Sequence, residues 1–107
     1  MIKKQVRFSE QSKLKLKIEA MEQDITINAL VLKIVQDPKN WAMEFRHERF
    51  TKSINNSYIL TYTQEFRKMF MTRAAKVNER FRTGNKITDE MIINQIIDKY
   101  AKANYKA

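Results

Sequence analysis

A chain of 107 residues holds one small domain or two very small units sharing a core. Its 43% hydrophobic and 31% charged content excludes a disordered tail, and one Gly and one Pro are too few for a many-turned β fold, which leaves a mostly helical protein. The absence of Cys excludes disulfides, thiolate metal sites and thiol nucleophiles, while a net charge of +9, from 21 basic and 12 acidic residues, points to a polyanionic partner, nucleic acid before others.

Residues 3–8 alternate. Val6 and Phe8 fall on one side; Lys3, Gln5 and Arg7 fall on the other. This period of two predicts a strand with one buried face. A strand so short has no partner within its own unit, so it borrows one from a second copy or from further along the same chain. Ser9 is a good N-cap, and Glu10 falls in the first turn, where the helix dipole favours an acid. Leu14, Ile18, Met21 and Ile25 recur at helical spacing and predict the buried face of a first helix. Leu14, Leu16 and Ile18 also alternate as a strand would, but the lysines and EAMEQD favour the helix. Thr26 caps a second helix with an inner face of Ile27, Leu30, Val31, Ile34 and Val35. Asp37-Pro38 ends it, because a residue before Pro is pushed out of the α region. Pro38 then suits the first turn of a connecting helix within 38–56, running through NWAMEFRHERFTK with Trp41, Phe45 and Phe50 inward.

Asn55 and Asn56 are turn residues. Tyr58, Leu60 and Tyr62 alternate with Ile59 and Thr61 in a run rich in β-branched and aromatic residues. From Thr63 the pattern is helical, through Phe66, Met69, Phe70, Ala74, Val77 and Phe81, with Gly84 placed to stop it. Thr88 caps a last helix, with Ile87 and Ile92 as a hydrophobic staple and an inner face of Ile92, Ile93, Ile96, Ile97 and Tyr100. The tail after Ala103 is expected to fray. The two halves share an order: VRF, Ser9, helix, Thr26, apolar helix; then LTY, Thr63, helix, Thr88, apolar helix. Positions 4, 5, 8 and 9 after each second cap are all apolar. A degenerate tandem repeat and a purely helical C-terminal extension both fit, since any apolar helix face gives such offsets.

On KKQVRF, the cap at Ser9, the helix ending near EAMEQD, and TINALVLKIV, residues 3–36 resemble a ribbon-helix-helix DNA-binding unit of the Arc/MetJ type. The resemblance divides the chain into a DNA-binding unit at 1–37, a connecting helix at 38–56, and a second ribbon-helix-helix-like or helical oligomerisation unit at 57–107. In that family a two-stranded ribbon enters the major groove, and its outward side chains read base edges. Here those would be Lys3, Gln5 and Arg7, whose donors and acceptors suit guanine and adenine. The start of the second helix meets a phosphate through free N–H groups, here at Thr26, Ile27 and Asn28, with Lys4 added to the backbone-contacting set. Many members have Gly between the two helices, where this chain has Gln23-Asp24. A second ribbon strand would present Ser57, Ile59 and Thr61, without a cation. Some accessory proteins of conjugative relaxosomes carry two such units in tandem, and the layout here resembles theirs.

His47 sits near Glu44 and Glu48, but one His without Cys makes a poor metal or acid–base site. Tyr58 and Tyr62 suit core packing better than base stacking. Arg67, Lys68, Arg73, Lys76, Arg80 and Arg82 either solvate the central helix or contact phosphate. The terminal helix fits burial in its own fold better than docking on a partner. No phosphate-binding Gly loop, nucleophile–base pair or carboxylate dyad is present, so neither an enzyme nor a cofactor is expected. MIKKQVRF has no apolar run of signal-peptide length, and Ile25–Val35, broken by Thr26, Asn28 and Lys33, is too short to cross a bilayer. The expected protein is cytoplasmic, away from membranes, and pairs with itself or internally. It binds double-stranded DNA as a transcriptional repressor; the alternative is an accessory of plasmid DNA, in a relaxosome or partition complex, that recruits a relaxase or filament protein.

Overall fold

The computed structural model describes residues 1–47, 56–82 and 84–103. Strand β1 (Ile2–Phe8) leads into helix α1 (Glu10–Gln23) and helix α2 (Ile27–Gln36). Strand β2 (Asn56–Tyr62) leads into helix α3 (Gln64–Asn78) and helix α4 (Asp89–Ala103). The fold is mostly helical, with one antiparallel sheet of two strands. The partner that β1 needs therefore comes from the same chain. Lys3 stands opposite Thr61, Gln5 opposite Ile59, and Arg7 opposite Ser57.

All four helices start with the same device. The hydroxyls of Ser9, Thr26, Thr63 and Thr88 accept from the backbone N–H of Ser12, Ala29, Phe66 and Met91, at 3.1, 3.0, 3.2 and 3.2 Å. Each satisfies one orphan donor of a first turn. Helix α1 ends on Asp24, which takes the left-handed conformation (φ 55°, ψ 45°) and donates its N–H to the Ala20 and Met21 carbonyls. Ile25 N–H donates to Ala20 O at 2.9 Å, completing a closure usually built on glycine.

The two strand–helix–helix segments superpose in sequence with a defined offset. From Ser9 to Thr63 the shift is 54 residues (position 9 to position 63), and it carries the buried Ser12, Leu16 and Ala20 onto the buried Phe66, Phe70 and Ala74. From Thr26 to Thr88 the shift is 62 residues (position 26 to position 88), and it carries Leu30, Val31, Ile34 and Val35 onto Ile92, Ile93, Ile96 and Ile97. These eight residues join Val6, Phe8 and Leu60 in one core beneath the sheet. The lengthening from 54 to 62 adds one residue to α3 and seven to the connection between α3 and α4. Among the described residues no helix is long and apolar enough to cross a membrane.

Helix α1 buries a different face from the one its apolar spacing predicts. Leu14, Ile18 and Met21 are exposed, at 59, 49 and 73%, whereas Leu16 is 1% exposed. The buried side meets α4 along a polar seam. Ser9 Oγ donates to Ser12 Oγ, whose own hydroxyl donates to Asp98; Lys15 Nζ donates to Ala101 O at 2.8 Å. Tyr100 donates to Glu19 at 2.6 Å, and burial, reinforced by that carboxylate, pushes its phenol up to about 12.

The long connecting helix is also replaced. Pro38–Trp41 forms one 3-10 turn, and residues 42–47 are not helical. The side chains that would line such a helix instead bond the carbonyls at the end of α2. Asn40 Nδ2 donates to Ile34 O at 2.7 Å, and Trp41 Nε1 donates to Val35 O at 2.6 Å. Beyond the turn, Gln95 brackets the Arg46 backbone, accepting from its N–H and donating to its carbonyl. Phe45 is buried and Trp41 half-buried; Phe50, Asn55 and the tail after Ala103 lie outside the described residues. Helix α3 stops at Asn78, well before Gly84, because the Asn78 amide turns to the Ile87 backbone, accepting from its N–H at 2.7 Å and donating to its carbonyl at 3.1 Å.

Candidate nucleic-acid interface

Alternation in β1 puts Ile2, Lys4, Val6 and Phe8 toward the helices and Lys3, Gln5 and Arg7 outward, all three exposed. Pairing sets Ser57, Ile59 and Thr61 beside them on the same face. The result is a two-stranded ribbon with one outer face of six side chains, three from each strand. Both cations come from β1. Ile59, 62% exposed, stands at the centre opposite Gln5, where the equivalence of Ser9 with Thr63 places the pseudo-two-fold axis. A two-stranded β-ribbon is one of the elements that a B-DNA major groove admits.

Each end of the ribbon is held by the start of a helix from the opposite segment. At the Lys3–Thr61 end, the Asn28 amide donates to Thr61 O at 2.9 Å and accepts from Thr61 N–H at 2.8 Å. The Asn28 side chain is thereby committed to the strand. The backbone N–H groups of Ile27 and Asn28 have no partner among the described residues, since the Thr26 hydroxyl takes only Ala29. They sit at the positive end of the α2 dipole.

At the Arg7–Ser57 end, the start of α4 is acidic. Glu90 Oε1 lies 3.5 Å from Arg7 Nε, and Asp89 Oδ2 lies 3.2 Å from Lys4 Nζ. Asn94 donates its amide to the Arg7 carbonyl. Lys4 thus stands on the inner side of the ribbon, paired with Asp89, and not on the outer face. Glu90 occupies the position after Thr88 that Asn28 occupies after Thr26. Sequence reading missed these strand-holding roles of Asn28, Asp89, Glu90 and Asn94. The matched offset after the two Thr caps is the signal that links Asn28 with Glu90.

Elsewhere, Arg73 lies over the Trp41 ring, 5.7 Å from its centroid, and donates to Gln36 O at 2.9 Å, closing the end of α2. It serves packing, whereas Arg67, Lys68, Lys76, Arg80 and Arg82 are exposed. Tyr58 and Tyr62 pack against the core, and Tyr62 meets the Phe66 ring at 5.2 Å. Comparison with protein-family models, with curated proteins and with solved structures finds no match to this chain.

Proposed function

We propose that the protein binds double-stranded DNA in a sequence-specific way as a ribbon-helix-helix protein whose two units lie in one chain, and that it acts as a transcriptional repressor. The observation that carries this reading is the paired ribbon, with Lys3, Gln5 and Arg7 exposed on its outer face and unpartnered N–H groups at the start of α2 beside it. In the groove, Arg7 and Lys3 donate to guanine O6 and N7, Gln5 pairs with adenine, and Ile59 meets a thymine methyl. The α2 N-terminus accepts a phosphate, which fixes the register. Repression follows from occupancy and requires no catalysis.

A second reading keeps the DNA-binding step and changes its setting. Two units in one chain are also the layout of some relaxosome accessory proteins, which favours a role on plasmid or other mobile DNA. The inner face of α4 is buried, so a relaxase or filament protein would have to be met by another surface.

A footprint of the purified protein across the DNA that encodes it, at physiological salt, tests both. Protection over its own promoter supports the repressor; protection of repeats away from any promoter supports the accessory role. Arg7→Ala is expected to weaken specific binding by about 1–3 kcal/mol. Equal binding by Arg7→Ala and wild type would overturn the ribbon reading.

A further inference from the structure

The pseudo-symmetry breaks at the two flanks of the ribbon. After Thr26 come Ile27 and Asn28, uncharged; after Thr88 come Asp89 and Glu90; at both starts these two backbone N–H groups have no partner among the described residues. A phosphate approaching the start of α2 meets a positive dipole end, whereas at the start of α4 that end is already faced by the carboxylates of Asp89 and Glu90, themselves paired with Lys4 and Arg7. The segment before α4 differs in the opposite sense. Seven of the eight extra residues lie here, and the chain that enters Thr88 carries Arg82 and Lys86, both exposed. The shift that equates Thr26 with Thr88 sets Lys86 where the first segment has Asp24.

The segment is shaped as well as charged. The Asn78 amide grips the Ile87 backbone and draws together the end of α3 and the approach to α4. Gly84 takes φ 97°, and Asn85 N–H donates to Arg82 O at 2.9 Å, which brings the Arg82 backbone beside Asn85, the residue before Lys86. Lys86 is two residues from Thr88, and the next two residues after that cap reach Lys4 and Arg7 of the ribbon.

We infer that on the α4 flank the DNA backbone is met by this basic turn, through Arg82 and Lys86, in place of the helix N-terminus. The two flanks then hold phosphate by different means, and both base-reading cations lie on β1. The chain consequently docks on duplex DNA in one polarity and reads a non-palindromic site. This inference rests on the ribbon reading above.

The test combines two measurements on the full chain with its footprinted duplex. Each lost phosphate contact lowers the slope of log affinity against log salt by roughly 0.9. Arg82→Ala with Lys86→Ala is therefore expected to reduce the slope by roughly 2, with site preference over random DNA unchanged. The chain has no Cys, so Asn85→Cys gives a single attachment point for an iron chelate. Cleavage is expected at one edge of the protected site only. An unchanged salt slope, or equal cleavage at both edges, would overturn the inference. If Arg7→Ala loses specific binding while the Arg82→Ala, Lys86→Ala chain keeps its slope, only the inference fails. If Arg7→Ala binds as wild type does, the ribbon reading fails and takes the inference with it.

Discussion

Asp24 holds a backbone conformation that L residues adopt reluctantly, because their Cβ crowds the neighbouring carbonyl oxygen. Its short carboxylate side chain makes it one of the few non-glycine residues that tolerate the left-handed region. The turn between α1 and α2 therefore forms without glycine. Asp24→Gly is expected to relieve the crowding, less the entropy that glycine adds to the unfolded chain, for a gain of roughly 0.5–1 kcal/mol. A higher urea midpoint with an unchanged slope would register it; a lower midpoint would show that the Asp24 carboxylate contributes more than the strain costs. Caps were the most legible residues in the sequence. Ser9, Thr26, Thr63 and Thr88 each act on a donor three residues away, so local chemistry suffices to find them. The reach of Asn28 to Thr61 spans 33 residues, and nothing local announces it.

Helix α1 shows how an element misleads when its exposed side is the greasier one. Leu14, Ile18 and Met21 have the right spacing, yet the face turned inward is Ser12, Leu16 and Ala20. Ser12 and Ala20 are small, and the hydrogen bonds from Ser12 to Asp98 and from Lys15 to Ala101 supply cohesion that no hydrophobic pattern records. Helices α2 and α4 read correctly because their apolar faces are packed against the sheet and each other. The segment after Pro38 misled for a related reason. Proline and an amphipathic run predict a helix, but the Trp41 indole and Asn40 amide find better partners in the carbonyls that α2 leaves open. The two leucines of α1 separate the alternatives. Leu16→Ala should cost about 2–4 kcal/mol of unfolding free energy, and Leu14→Ala less than about 0.5 kcal/mol. The reverse order, measured by urea denaturation, would show that the apolar spacing and not the observed packing describes the core.

At the scale of the whole molecule, neither segment can bury its own apolar surface. Strand β1 lies on β2, and α4 packs on β1, α1 and α2, so each segment completes the other. The strand order and the repeated caps are legible in the sequence; closure of the pairing within the chain is one of two options the sequence leaves open, and the register of β1 on β2 decides it. The two segments share one core, because Ile92, Ile93, Ile96 and Ile97 sit in the same cluster as Val6, Phe8 and Leu30. One core implies one cooperative transition. Trp41, the single tryptophan, packs against Phe70 of α3 and bonds to Val35 of α2, so its fluorescence reports on both segments. Its unfolding curve should coincide with that of the helical circular dichroism signal. A chain ending at Gly84 loses five buried isoleucines and the Glu90 and Asn94 contacts to Arg7, and is expected to show no cooperative transition and no specific DNA binding. A truncated chain that still melts sharply and still binds would mean that the first segment finds another partner for β1, and the single-chain ribbon would then be only one of its assemblies.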